Sequence, residues 1–178
     1  MTVAVAPAGI WDSEEIADVA AATFPLACPP GSTDDDIAAF VDEMLSVDRF
    51  ADYLTDPART VLKASEGEHI VGYAMLIDGD PVDPDVAAVV DLRPTTEISK
   101  FYVLPGRHGQ GVASGLMDAV VEHARGRDRA GLWLGVNQQN ARAQRFYGKH
   151  GFAVAGTKTF RVGTQLHHDY VMQRDLRS

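Results

Sequence analysis

The stretch Val103-Leu104-Pro105-Gly106-Arg107-His108-Gly109-Gln110-Gly111-Val112-Ala113 decides the reading of this chain. Residues 97–103 have the composition of a strand. Past the glycines, Val112, Ala113, Leu116, Met117, Val120, Val121 and Ala124 recur at the spacing of an amphipathic helix that ends near Gly126. A strand that passes through glycines straight into a helix leaves the first helical N–H groups and the positive end of the dipole exposed. That is a natural seat for an anion such as pyrophosphate. Gly109 and Gly111 permit unusual φ angles and close approach of a ligand to the backbone. No Gly-Lys-Ser/Thr follows, and the glycines are not spaced as G-x-G-x-x-G, so neither a Walker loop nor a dinucleotide fingerprint is present. Taken alone, the same glycines also fit an ordinary strand-to-helix turn.

Working outward, Val3 and Val5 before Pro7 predict a short first strand. Ser13 with Glu14, Glu15, Ile16, Val19 and Ala20 predicts a capped helix that stops at Pro25. Thr33 followed by Asp36 is a capping pattern for a second helix, whose stripe is Ile37, Phe40, Val41, Met44 and Leu45. Residues 50–54 read as a further helical turn or two. Residues 60–64 and 70–77 are β-rich runs joined across 65–68, a hairpin. Residues 78–94, with three prolines and many aspartates, read as a long exposed connection. A strand at 132–136, a helix at 140–150 and two closing strands at 152–160 and 168–172 complete the order. Hairpins at both ends and helical crossovers only in the middle argue for an α/β sheet of mixed direction.

A length of 178 residues, with 46% hydrophobic and 23% charged residues, suits one globular domain spanning the chain. The longest apolar run, 70–77, is far short of the roughly 20 residues a membrane helix needs, so no membrane partner is expected. One cysteine, Cys28, and no Cys/His cluster fit a reducing cytoplasm and no structural metal. The formal charge of −9 disfavours nucleic acid and favours cationic partners. The acid falls in two groups, within 34–56 and within 78–91, and both read first as solvated surface.

A second segment completes the picture: Leu134-Gly135-Val136, then Asn140-Ala141-Arg142-Ala143-Gln144-Arg145-Phe146-Tyr147-Gly148-Lys149-His150-Gly151-Phe152. Together the two segments resemble the GCN5-related N-acetyltransferase (GNAT) superfamily. The family's Gln/Arg-x-x-Gly-x-Gly/Ala pattern falls on 108–113, with His108 where Gln or Arg is usual, and Asn-x-x-Ala-x-x-Phe/Leu-Tyr-x-x-x-Gly-Phe falls on 140–152 without a gap. The likeness covers about residues 60–176 well, and it is nearest to bacterial spermidine/spermine acetyltransferases of the Pai type.

This resemblance implies a mixed, mostly antiparallel sheet of about seven strands, splayed at the centre, with about four helices. It implies acetyl-CoA as the acyl donor and a small amine as acceptor, attacked directly in a ternary complex, and it leaves room for a homodimer. By the same resemblance His108, Gly109, Gln110, Gly111, Val112 and Ala113 hold the pyrophosphate. The backbone of Phe101, Tyr102 and Val103 holds the pantetheine arm, with the Val103 N–H polarising the thioester. Asn140 caps its helix and also contacts that arm. An alkylammonium ion has no lone pair, so a proton must leave before attack. Glu97, at the start of its strand, is the implied base and Tyr147 the implied acid for the departing thiolate. If some carboxylates of the 34–56 group face the slot, a polyamine such as spermidine is the expected acceptor. A peptide N-terminus, lysine, amino acid or aminoglycoside-type amine is the alternative. A non-catalytic acyl-CoA sensor is the reading from another class, and the presence of both Glu97 and Tyr147 argues against it.

Overall fold

The computed structural model describes residues 3–106 and 111–177. Seven strands form one sheet in the order β1-β2-β3-β4-β5-β7-β6: β1 Val3–Pro7, β2 Arg59–Glu66, β3 His69–Asp78, β4 Thr95–Val103, β5 Gly131–Asn137, β6 Ala153–Val162 and β7 Gln165–Asp175. Every neighbouring pair is antiparallel except β4 with β5, so the expected mixed sheet is what the chain forms. Among the described residues there are six α-helices against the four or so expected: α1 Ser13–Ala27, α2 Asp34–Met44, α3 Val47–Thr55, α4 Pro84–Ala87, α5 Val112–Gly126 and α6 Ala141–Lys149.

The sheet carries a separate core on each face. On one, Leu116, Met117 and Val120 of α5 pack with Leu76, Leu132 and Leu134, all at most 2% exposed, and Phe146 and Tyr147 of α6 lie at the margin. On the other, Ile16 and Ala20 of α1 and Phe50 of α3 pack on Tyr73 and Met75 of β3. Burying these aliphatic and aromatic side chains contributes about 1.5–3 kcal/mol each.

Local chemistry sets most boundaries. Thr33 accepts the Asp36 amide at 3.1 Å and its hydroxyl donates to the Asp36 carboxylate at 2.9 Å, the capping pattern read from the sequence. Ser46 caps α3 by accepting the Arg49 amide at 3.2 Å, which starts that helix earlier than its apolar residues suggest.

Three expectations are corrected. Helix α1 does not stop at Pro25: it contains the proline in its final turn and runs to Ala27. Ser13 does not cap it: its hydroxyl donates to the Ile10 carbonyl at 2.6 Å, and Asp12 occupies the cap position while accepting the Gly9 amide and pairing with Lys63 at 2.9 Å. The 78–94 connection is not simply exposed. Asp83 caps the short α4, and Val86 and Val90, at 0% and 1% exposure, pack on Trp133 and Val171 in a third small core.

Candidate active site

Strands β4 and β5 pair over only three residues, Thr95↔Gly131, Thr96↔Leu132 and Glu97↔Trp133. Beyond that point β4 stays with β3 as far as Val103↔Gly72, while β5 stays with β7 as far as Asn137↔Asp169. The two strands part, and a cavity of about 920 Å³ opens between them, lined by both. That volume is ample for a cofactor with a small partner. Glu97 sits at the fork. The strand begins at Thr95, two residues earlier than expected, so Glu97 is inside the ladder and not at a solvated strand start.

The parting leaves backbone groups turned toward the cavity. The Leu104 N–H donates to the Val71 carbonyl of β3 at 2.8 Å. Alternation along an antiparallel ladder then turns the Tyr102 and Lys100 amides toward β3, and those of Phe101 and Val103 toward the fork. Of the three residues whose backbone was expected to meet a pantetheine arm, Phe101 and Val103 present theirs to the cavity. Tyr102 contributes its ring to the lining.

A bulge rearranges the side chains. The register of β3 against β4 shifts between Met75↔Lys100 and Leu76↔Ile98, leaving Ser99 as the extra residue. Strict alternation puts Glu97 and Lys100 on opposite faces, and the inserted residue brings them to the same one. Both line the cavity. Burial raises the Glu97 carboxyl above its ordinary value, partly countered by Lys158, Lys100 and Arg59. Burial likewise lowers Lys100 to about 8, reinforced by Arg59 and opposed by Glu97. A carboxylate poised upward beside a cavity is the electrostatic profile of a general base.

Across the fork, Asn140 accepts the Ala143 amide at 3.1 Å and so caps α6. That helix carries Phe146 and Tyr147 to the Phe101 ring, at centroid separations of 5.6 and 6.1 Å, and Tyr147 also meets Phe152 at 5.9 Å. The aromatic cluster holds the Tyr147 phenol at the cavity, where burial pushes its pKa well above the ordinary value and keeps it protonated. The side chain that packs in this cluster is thus also the one that brings a phenol to the cavity. Cys28 also lines the cavity, and burial pushes its thiol up to about 11, so it enters as a thiol and not a thiolate.

The helix after the glycine turn begins as expected. Gly111 takes a left-handed conformation, φ 75°, ψ 9°, which a residue with a Cβ adopts only under strain, and among the described residues no side chain caps α5. The Ser114 amide and those of Val112 and Ala113 belong to the uncapped first turn, and Ala113 and Ser114 line the cavity. His108, Gly109 and Gln110, with Arg107, lie outside the described residues.

Besides Lys100, the charged residues Lys158 and Asp169 at the site were not singled out from the sequence. Lys158 of β6 lies opposite Asp169 of β7 and pairs with it at 3.4 Å. Its chain passes over Gly135 of β5, where a Cβ would come within 2.5 Å of its Cε. Both line the cavity. The acidic 34–56 group does not face the slot: none of its carboxylates lines the cavity. Asp36 is buried beneath the β6–β7 turn, where it accepts the Thr164 amide at 2.8 Å and the Thr164 hydroxyl at 3.0 Å, and these bonds hold its carboxyl below the usual range. Asp56 pairs with Arg59 at 3.1 Å, and Asp34, Asp35, Asp42, Glu43, Asp48 and Asp52 are exposed.

Comparisons with known proteins bear on this geometry directly. A sequence profile described as the acetyltransferase (GNAT) family matches residues 19–152. An uncharacterized N-acetyltransferase of Mycobacterium tuberculosis is 53% identical over 165 residues, spanning 93% of this chain and 98% of that protein. Among solved structures, the PaiA N-acetyltransferase of Thermoplasma acidophilum in complex with coenzyme A superposes with a TM-score of 0.77 at 16% identity, over 98% of this chain and 99% of that one. A ribosomal-protein alanine N-acetyltransferase of Escherichia coli superposes with a TM-score of 0.70, also at 16% identity, over 99% and 96%. Of those two names only the second states an acceptor, and at such identity the likeness is one of fold. With a forked sheet, an uncapped helix start behind a left-handed glycine and a family match across most of its length, the chain belongs to the GNAT family of N-acetyltransferases.

Proposed function

We propose that the protein transfers an acetyl group from acetyl-CoA to a primary amine, with Glu97 as base and Tyr147 as acid. The observation that carries this reading is the parting of β4 and β5 immediately after Glu97. It places a carboxylate, two outward backbone amides and a phenol around one cavity.

Acetyl-CoA supplies an activated thioester, and the residues present suit it. The first-turn amides of α5, with no side-chain cap, suit its pyrophosphate. The backbone of Phe101 and Val103 suits the amide-bearing arm, and the Val103 N–H is aimed to stabilise an oxyanion at the carbonyl. Asn140 stands at the α6 end of the same cavity. Glu97 accepts the proton that an ammonium group must lose, directly or through water. Tyr147, kept protonated by burial, donates to the departing thiolate. Holding both reactants in one slot supplies a large part of the rate.

A polyamine acceptor was expected from the likeness to spermidine/spermine acetyltransferases and from the 34–56 carboxylates, and of these the carboxylates give it no support, since none of them lines the cavity. The carboxylates that reach the cavity are Glu97 and Asp169, and Lys158 is paired with the latter. Titrating coenzyme A into the pure protein by calorimetry tests the donor site, with heat of binding expected. Thiol release over a panel of amines tests transfer. Binding without turnover of any amine favours an acyl-CoA sensor, and absence of binding sinks both readings.

A further inference from the structure

On the α1–α3 side of the cavity one cation, Lys100, stands without an ion-pair contact among the described residues. Lys158 is engaged by Asp169 at 3.4 Å. Lys100 has no carboxylate within 4.0 Å among the described residues. Its ammonium lies 5.6 Å from the centre of the Tyr53 ring. The Arg59 guanidinium lies 5.0 Å from that same ring and is itself paired with Asp56 at 3.1 Å. Lys100 is thus half-buried, with a second cation on the same ring, and lines the cavity. A partly desolvated cation beside another cation is a natural partner for an anion.

The Ser99 bulge gives this cation a fixed relation to the base. With one residue inserted, Glu97 and Lys100 stand as neighbours on one face of β4, as i and i+2 do in a regular strand, about 7 Å apart along the backbone. We propose that the acceptor carries a carboxylate close to its amine, as a free amino acid does, and that Lys100 binds that carboxylate while Glu97 faces the amine. This rests on the N-acetyltransferase reading and narrows its acceptor to a small amino acid. A polycation fits poorly, because its far ammonium meets Lys100.

Thiol release from acetyl-CoA is measured with matched acceptors: glycine, methionine, phenylalanine and glutamate, each against its carboxamide, with spermidine alongside. Wild type is expected to favour the free acids by at least about tenfold in kcat/KM, the usual worth of one charged hydrogen bond. Lys100→Met is expected to erase that preference through KM, while Lys100→Arg keeps most of it. Unchanged heat of coenzyme A binding shows that both variants are folded. The proposal is overturned if wild type uses the carboxamides or spermidine as well as the acids, if Lys100→Met keeps the preference, or if coenzyme A binds and none of these acceptors reacts. Failure of coenzyme A to bind overturns the acetyltransferase reading itself.

Discussion

Strands β4 and β5 have two ends of opposite character. At the closed end Thr95 and Thr96 are fully buried, the Thr95 hydroxyl donates to the Gly131 carbonyl at 3.1 Å, and Leu92 presses on Gly131. At the open end the same strands carry Glu97, Lys100 and outward amides around a cavity. The closed end spends its backbone polarity on a neighbouring strand, and the open end keeps it for a ligand. On the proposed reading chemistry begins at the residue where the ladder stops, and the closed end matters by fixing where that is.

The comparison breaks most sharply at Tyr147. Tyr147→Phe keeps the aromatic cluster and removes the hydroxyl, so kcat is expected to fall by about 10²- to 10⁴-fold, with coenzyme A binding intact by calorimetry. A variant that keeps full turnover would relegate Tyr147 to packing.

Glu97→Gln is next, with an expected loss of about 10²-fold in kcat/KM at neutral pH, or about 2.7 kcal/mol of transition-state stabilisation. A base works deprotonated, and burial raises this carboxyl from 4.5. Wild-type kcat/KM should climb with pH through a midpoint above 4.5, and that limb should vanish in the variant. The stability effect has the opposite sign. Because the fold favours the protonated carboxyl, stability is lost as pH rises through the raised pKa, so Glu97→Gln should have the higher Tm at neutral pH, with the difference closing in acid. A pH profile shared by wild type and variant would remove Glu97 from the role of base.

Gly131→Ala probes the closed end. Its Cβ would stand 2.7 Å from the Leu92 Cβ and 3.1 Å from the Arg174 carbonyl, so overpacking should cost about 1–3 kcal/mol in denaturant unfolding, with kcat of the folded fraction near normal. Gly135→Ala at the open end should have the smallest effect on stability, because what it meets is side-chain ends, chiefly that of the flexible Lys158 with the Asp169 carboxylate at 3.1 Å, and no backbone. Its signature is a raised KM for the acceptor with the KM for acetyl-CoA unchanged. If both glycine variants behave alike, the division between the two ends is wrong.

Much of this molecule was readable from neighbouring residues. Thr33 with Asp36 announced a helix start because a cap is satisfied within one turn of chain. Tyr147 and Asn140 were legible because a helical motif carries its own spacing. The glycine turn before Val112 was legible because a left-handed residue there leaves few choices. Lys158, Lys100 and the buried α4 segment were not, since each takes its meaning from partners distant in sequence: Asp169, Tyr53 and Trp133.

By itself the sequence determined the order of the strands and of the helices other than α4, and the glycine turn into α5, which follow from local periodicity and short-range hydrogen bonding, and it indicated the family through motifs that resemble it. Only the tertiary structure decided where β4 and β5 part, that Ser99 turns Lys100 to the side of Glu97, and that the 34–56 carboxylates look away from the slot. The physical reason is that register is a hydrogen-bonded agreement between distant strands. A shift of one residue in it moves a side chain to the other face of the sheet.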